Sequence, residues 1–210
     1  SFSMVKKRLD SGQQVLFSGM PCQVAGLIAF LQKDYPNLFT VDFVCHGVPS
    51  PIVWNNYVKY RANRDNEGIL PIKINLRSKD TGWSHYQYSN VYQYVNEKKY
   101  STRNGSDPYM KLFVGDYINR ISCTDCYFKG YDRVSDITLG DFWGIWDIAP
   151  EMDDDKGTSL VLLHSSKGKK EFEKLNGRIQ SKKVTLEQAS ASNPSLLYSS
   201  PAKPGREAVL

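Results

Sequence analysis

Four cysteines, Cys22, Cys45, Cys123 and Cys126, constrain this 210-residue chain more than any other feature. Four in that length, with no secretion signal before them, do not make the dense framework of a small disulfide-stapled domain. Metal or redox chemistry is the better expectation. The first residues, SFSMVKKRLD, lack the apolar stretch and small-residue cleavage site of a signal peptide, and no apolar run is long enough to cross a bilayer. We therefore expect a cytoplasmic protein with no membrane span. With 40% hydrophobic residues the chain can bury one sizeable core, so a single domain over residues 1–210 is expected. Because it opens inside a helical pattern (Phe2 to Leu9) and stops at Ala208-Val209-Leu210, that domain reads as the C-terminal piece of a longer protein. The net charge of +5 is spread along the chain apart from Lys167 to Lys170 and Lys182-Lys183, which argues against a nucleic-acid-binding stripe.

The flanking patterns say where the cysteines fall. Val15-Leu16-Phe17 reads as a buried strand ending in Ser18-Gly19-Met20-Pro21, and Pro21 suits the first position of a helix running to about Lys33. Phe39 to Val44 is a second apolar strand, closed by His46-Gly47-Val48-Pro49. Strand, helix, strand implies a parallel pair. Pro51 to Arg64 follows as a helix capped by Ser50. The period then changes: Ile72, Ile74 and Leu76 alternate with polar residues, and Tyr86, Tyr88, Tyr92 and Tyr94 share one parity before a turn at Asn96-Glu97-Lys98, the mark of an antiparallel, half-buried segment. A helix from Asp107-Pro108 to about Asp116 precedes the cysteine pair. Strands at Ile137 to Leu139 and Ser159 to Leu163, a helix from about Lys167 to Leu175 and a short helix within Val184 to Ala189 complete the reading. The fold class is α/β (mixed α+β): a short parallel βαβ unit on the N-terminal side joined to an antiparallel β segment, with flanking helices.

Cys22 and Cys45 would then sit at the carboxyl edge of two parallel strands roughly 5 Å apart, where α/β proteins usually place ligands. Cys22 also lies in the first turn of its helix, where free N–H groups and the dipole favour a thiolate. Cys123-Thr124-Asp125-Cys126 offers two more sulfurs at C-x-x-C spacing. Four thiolates suit a tetrahedral zinc or a 4Fe-4S cluster. Spacing alone leaves both open, along with the bland possibility that Cys22 and Cys45 are small buried hydrophobes.

The chain resembles the C-terminal domain of the coenzyme F420 hydrogenase/dehydrogenase beta-subunit family. The resemblance rests on motifs in order: Phe17-Ser18-Gly19-Met20-Pro21-Cys22-Gln23, Val44-Cys45-His46-Gly47-Val48-Pro49-Ser50-Pro51, Arg77-Ser78-Lys79 with Gly82-Trp83, Cys123 and Cys126 with Phe128-Lys129, and Ser135-Asp136-Ile137-Thr138-Leu139-Gly140-Asp141-Phe142-Trp143-Gly144. Together they span about residues 12 to 163. Met20 replaces the usual small residue before Pro-Cys, changing the turn's surface but not the thiol. The resemblance implies an oxidoreductase passing electrons between a 4Fe-4S cluster and FAD, with a ferredoxin-like domain or subunit as electron donor or acceptor and a small-molecule redox substrate. The region that helps hold the flavin in full-length relatives lies upstream of these residues.

Around that centre, Asp141, Lys129 and Arg133 are the candidate cofactor-binding residues, against the alternatives of a turn aspartate and two solvated loop cations. His46 is expected beside the thiols rather than as a ligand. Arg77 and Lys79 read as exposed cations at a strand end, and the tyrosine row as one packed face of a sheet. Hydrolase and kinase arrangements are missing. The competing class is a zinc-stabilised, non-catalytic scaffold or interaction domain.

Overall fold

Local signals place most elements where chemistry requires them in the computed structural model, which describes residues 1–95 and 97–209. In chain order these are α1 (Phe2–Asp10), β1 (Val15–Ser18), α2 (Pro21–Leu31), β2 (Leu38–Phe43), α3 (Pro51–Asn66), β3 (Lys73–Ser78), β4 (Ser89–Gln93), β5 (Lys99–Arg103), α4 (Pro108–Val114), β6 (Ile137–Asp141), α5 (Ile145–Ile148), β7 (Ser159–Leu163), α6 (Ser166–Glu173), α7 (Leu186–Ser190) and α8 (Pro194–Leu197). Pro21, Pro51 and Pro108 each stand in a first helical turn, where a missing N–H costs no intrahelical bond. Asp107 caps α4 by accepting from the Met110 amide at 3.0 Å. α2 stops at Leu31 because Gln32 turns left-handed, at φ 56°. Among the described residues no helix is long and apolar enough to cross a membrane. The expected hairpin turn includes Asn96, which lies outside the described residues; as far as they show it, Tyr94 N–H donates to the Lys98 carbonyl at 3.0 Å.

The chain forms two compact units that alternate in sequence: residues 1–45, 127–142 and 159–198 make the first, and 46–126, 143–158 and 199 onward the second. The first holds a four-stranded sheet in the order β1-β2-β6-β7, with β1, β2 and β6 parallel and β7 antiparallel to β6. Leu9, Leu27, Leu31, Tyr35 and Leu38 form an apolar core there.

The most buried side of β2 carries polar groups, which its reading as an apolar strand did not anticipate. Thr40 and Asp42 are both buried, and each meets a polar neighbour. Asp136 accepts from the Thr40 amide at 2.8 Å, the Thr40 hydroxyl at 3.1 Å and the Ser165 hydroxyl at 2.5 Å. Asp136, inside the longest of the motifs, thus ties β2 to the start of α6. Asp42 accepts from the Thr138 hydroxyl and lies 3.5 Å from the Arg133 guanidinium. Thr138 has one hydroxyl proton and spends it on Asp42, so at 2.8 Å it must accept from Nε2–H of His164, which fixes that imidazole's tautomer.

Burial holds the His164 imidazole below its ordinary pKa, with Arg133 acting in the same direction and Asp42 and Asp132 opposing. A histidine depressed on folding binds fewer protons than in the unfolded chain. Its contribution to stability is full above the unfolded pKa of about 6.5 and is lost as pH falls through the lower folded value. His164→Gln is therefore expected to flatten the fall in urea midpoint between about pH 7 and pH 5.

The second unit holds the antiparallel sheet β3-β4-β5. Its central strand is buried on both faces, since Ser89, Asn90, Val91 and Tyr92 are all covered. Tyr88, Tyr92 and Tyr94 are packed as their parity suggests, whereas Tyr86 lies in a turn and is half exposed. Tyr109, Met110 and Ile118 form the core, joined by Trp54, Tyr57, Leu76 and Val209.

Candidate functional site

All four cysteines stand as thiols rather than disulfides; Cys22 is exposed and the others are partly covered. In the first unit, β1 leads into α2 through a turn that fixes Cys22. Gly19 gives room there, since a Cβ would lie 3.0 Å from the Gln23 carboxamide oxygen, which accepts from the Met20 amide at 2.9 Å. Cys22 follows Pro21 in the first turn of α2, where the backbone N–H groups have no intrahelical partner.

β1 and β2 are paired in parallel from Val15↔Leu38 to Ser18↔Val41, so their chains leave the sheet at one edge. Cys45 follows β2 there. The preceding Val44 continues the ladder, donating to the Leu139 carbonyl at 2.8 Å, and Gly140 must lack a side chain because a Cβ would meet Val44 Cγ2 at 2.7 Å. Lys129 donates its ammonium to the Cys45 carbonyl and, at 2.8 Å, to the Ser195 carbonyl. Its placement therefore fixes the backbone of a candidate ligand. Asp141 ends β6, opposite Ser159 on β7 and half-buried. Since β6 runs parallel to β2, Asp141 leaves the sheet at the same edge as Cys45. Arg133 is buried; besides Asp42 it reaches the Gly130 carbonyl at 2.9 Å through Nε.

In the second unit, Cys123 closes a single helical turn, its amide donating to the Arg120 carbonyl at 2.8 Å. The Thr124 hydroxyl returns to the Ile121 carbonyl at 2.8 Å, so the C-x-x-C segment is a pinned turn. Cys126 donates its amide to the Ser199 hydroxyl at 2.8 Å, and Ser200 donates to the His46 carbonyl at 2.6 Å. Both serines lie in a Ser- and Pro-rich tail that reads as loop, and only contacts across the folded chain reveal them. His46 points Nε2 at Asp116 Oδ1 (2.9 Å) and the Phe113 carbonyl (3.1 Å). Both are acceptors, so Nε2 carries the proton.

Arg77 and Lys79 are exposed as expected, but both lie over Trp83, at 4.6 and 4.9 Å from its ring centre. Trp83 stacks on Trp143 at 5.3 Å with planes 16° apart. Asp155 anchors this turn by accepting from the Trp83 and Ser84 amides at 2.7 and 2.8 Å, bonds that hold its carboxyl below the usual range. The Gly82-Trp83 motif therefore organises an aromatic stack.

Among the described residues no three His, Cys, Asp or Glu side chains are gathered closely enough to hold one metal ion. Each unit supplies two thiols, soft sulfur ligands of the kind that a 4Fe-4S cluster or a structural zinc takes.

None of the curated proteins compared with the chain matches it. A family model described as the C terminus of the coenzyme F420 hydrogenase/dehydrogenase beta subunit matches residues 12–190, a span that contains all four cysteines, Lys129, Arg133 and Asp141. With most of its length so matched, this chain belongs to the family of C-terminal domains of coenzyme F420 hydrogenase/dehydrogenase beta subunits.

Proposed function

We propose that this domain passes electrons between a 4Fe-4S cluster and FAD, with Cys22, Cys45, Cys123 and Cys126 as the cluster's ligands. The family is one of redox-enzyme subunits, and that gives the coarse frame. The observation that supports the finer reading is four free thiols, with the backbone of Cys45 and of Cys126 held by bonds from distant residues of the same unit.

When bound, the cluster supplies one-electron transfer and the flavin couples it to two-electron chemistry. The chain's own share is positional. The first turn of α2 holds Cys22 at the sheet's carboxyl edge. Lys129 fixes the Cys45 carbonyl, and the Thr124 hydroxyl pins the turn that carries Cys123 and Cys126. Asp141, at the sheet edge shared with Cys45, is the carboxylate we assign to tuning the cofactor's surroundings. Lys129 and Arg133 act in this structure on backbone carbonyls and on Asp42, so their service to a cofactor runs through the scaffold. The flavin itself enters through the family resemblance. A ferredoxin-like domain or subunit would exchange electrons with the cluster, and a small redox molecule with the flavin, in the reducing interior of the cell.

Anaerobic purification followed by iron, sulfide and zinc analysis with electron paramagnetic resonance tests the proposal. About four irons and four sulfides per chain, with a cluster signal on reduction, are expected. Colourless protein holding stoichiometric zinc would reject it in favour of a folding role for the cysteines.

A further inference from the structure

We infer that the chain beyond residue 198 is a strap of the second unit, in which Ser199 is a positioning residue for the metal-binding turn at Cys123 to Cys126. This segment lies past residue 190, where the family match ends, so nothing in that match assigns it a role. The inference rests on the proposed function for the metal that Cys123 and Cys126 hold; the strap serves a cluster or a zinc ion alike.

The turn is fixed at both ends. At its start, Arg120 donates its amide to the Val48 carbonyl at 2.7 Å, next to a bridge between Pro49 and Asn119 and a bond from the Ser50 amide to the Ile118 carbonyl at 2.8 Å. Gly47 sits so close to Asn119 that a Cβ would come within 3.0 Å of its carboxamide. The stretch from His46 to Ser50 is thus laid against Ile118 to Arg120, which runs directly into the cysteine turn.

At the far end, the Cys126 amide donates to Ser199 Oγ at 2.8 Å, and the same hydroxyl lies 3.5 Å from the Cys126 carbonyl. The neighbouring Ser200 is buried and donates to the His46 carbonyl at 2.6 Å. Two consecutive serines therefore join the end of the C-x-x-C turn to the residue that follows Cys45. The strap is held at its other end too: Arg206 lies 3.5 Å from the Tyr117 carbonyl, and Val209 packs against the core of Tyr109, Met110 and Ile118.

A ligand's backbone partner acts on the metal through the ligand. Freeing the Cys126 amide loosens the direction in which its sulfur is presented, and outer partners of this kind typically change metal affinity by about 10–100-fold. A hydroxyl is the feature needed, so threonine should replace serine.

The test uses the anaerobically purified protein with its native metal. Chelator-driven metal release is followed for the wild type, Ser199→Ala and Ser199→Thr, alongside the cluster's electron paramagnetic resonance line shape and the urea midpoint. Release at least about tenfold faster in Ser199→Ala, with an altered line shape, a nearly unchanged midpoint and recovery in Ser199→Thr, is expected. Release and line shape equal to wild type in Ser199→Ala overturn the inference. Zinc in place of iron would defeat the proposed function, yet its release to a chelator reads the strap in the same way. In protein that carries no metal, hydrogen exchange at the Cys126 amide decides: faster exchange in Ser199→Ala supports the strap, and equal exchange contradicts it.

Discussion

Replacing Arg133 with alanine is expected to cost about 3–5 kcal/mol of stability, read as a lowered urea midpoint near neutral pH. Arg133 and Asp42 are 8% and 1% exposed, and their charged groups approach to 3.5 Å inside the sheet of the first unit. Removing the guanidinium strands a buried carboxylate whose remaining hydrogen bond, among the described residues, comes from the Thr138 hydroxyl. The loss is one of uncompensated charge more than of a favourable bond, and that distinction can be measured. In an Asp42→Asn background the same Arg133→Ala change should cost markedly less, because no buried charge remains to be stranded. Equal costs in the two backgrounds would mean that Arg133 contributes by packing alone. Asp42 lies near the end of β2, three residues before Cys45, so the pair also steadies the strand that delivers a candidate ligand.

The second large effect is expected at the cysteines. Changing any one of Cys22, Cys45, Cys123 or Cys126 to serine should strip most of the iron from the anaerobic protein, because a cubane cluster held by four thiolates tolerates the loss of a ligand poorly. The comparison among the four is the informative part. Under the four-ligand account Cys22→Ser and Cys45→Ser are as damaging as Cys123→Ser and Cys126→Ser. If Cys22 and Cys45 were small hydrophobes, their serine variants would keep full iron, and only the C-x-x-C variants would lose metal.

Much of the architecture is legible in the sequence. A short apolar run ending in Gly-Met-Pro-Cys, then an apolar helix and another run, left little choice but two neighbouring parallel strands, and Val15–Ser18 pairs with β2 as that pattern demands. Prolines marked helix starts because the ring is tolerated in that first turn. The misses share a physical cause. β4 reads as half-buried from its alternating tyrosines, but Ser89 and Asn90 are covered as well, because a central strand has neighbours on both sides; the Ser89 hydroxyl meets that of Thr81 at 2.6 Å.

Side-chain roles that depend on distant residues were invisible for the same reason. Lys129 looks like a loop cation until the fold brings the Cys45 carbonyl to it. Asp136, within the longest motif, proves to be a junction for Thr40 and Ser165. Ser199 and Ser200 belong to a stretch whose composition says only loop, and their meaning comes from Cys126 and His46. Sequence patterning reports burial and period, whereas the partner of a single hydroxyl or ammonium is set by tertiary contacts.

The central claim is that four scattered sulfurs serve one centre, and differential alkylation of the anaerobic protein, read by mass spectrometry, addresses it most directly. With metal bound, all four thiols should be protected together, and chelation should expose all four together. Protection confined to Cys123 and Cys126, with Cys22 and Cys45 reacting freely while the metal stays bound, would contradict the account.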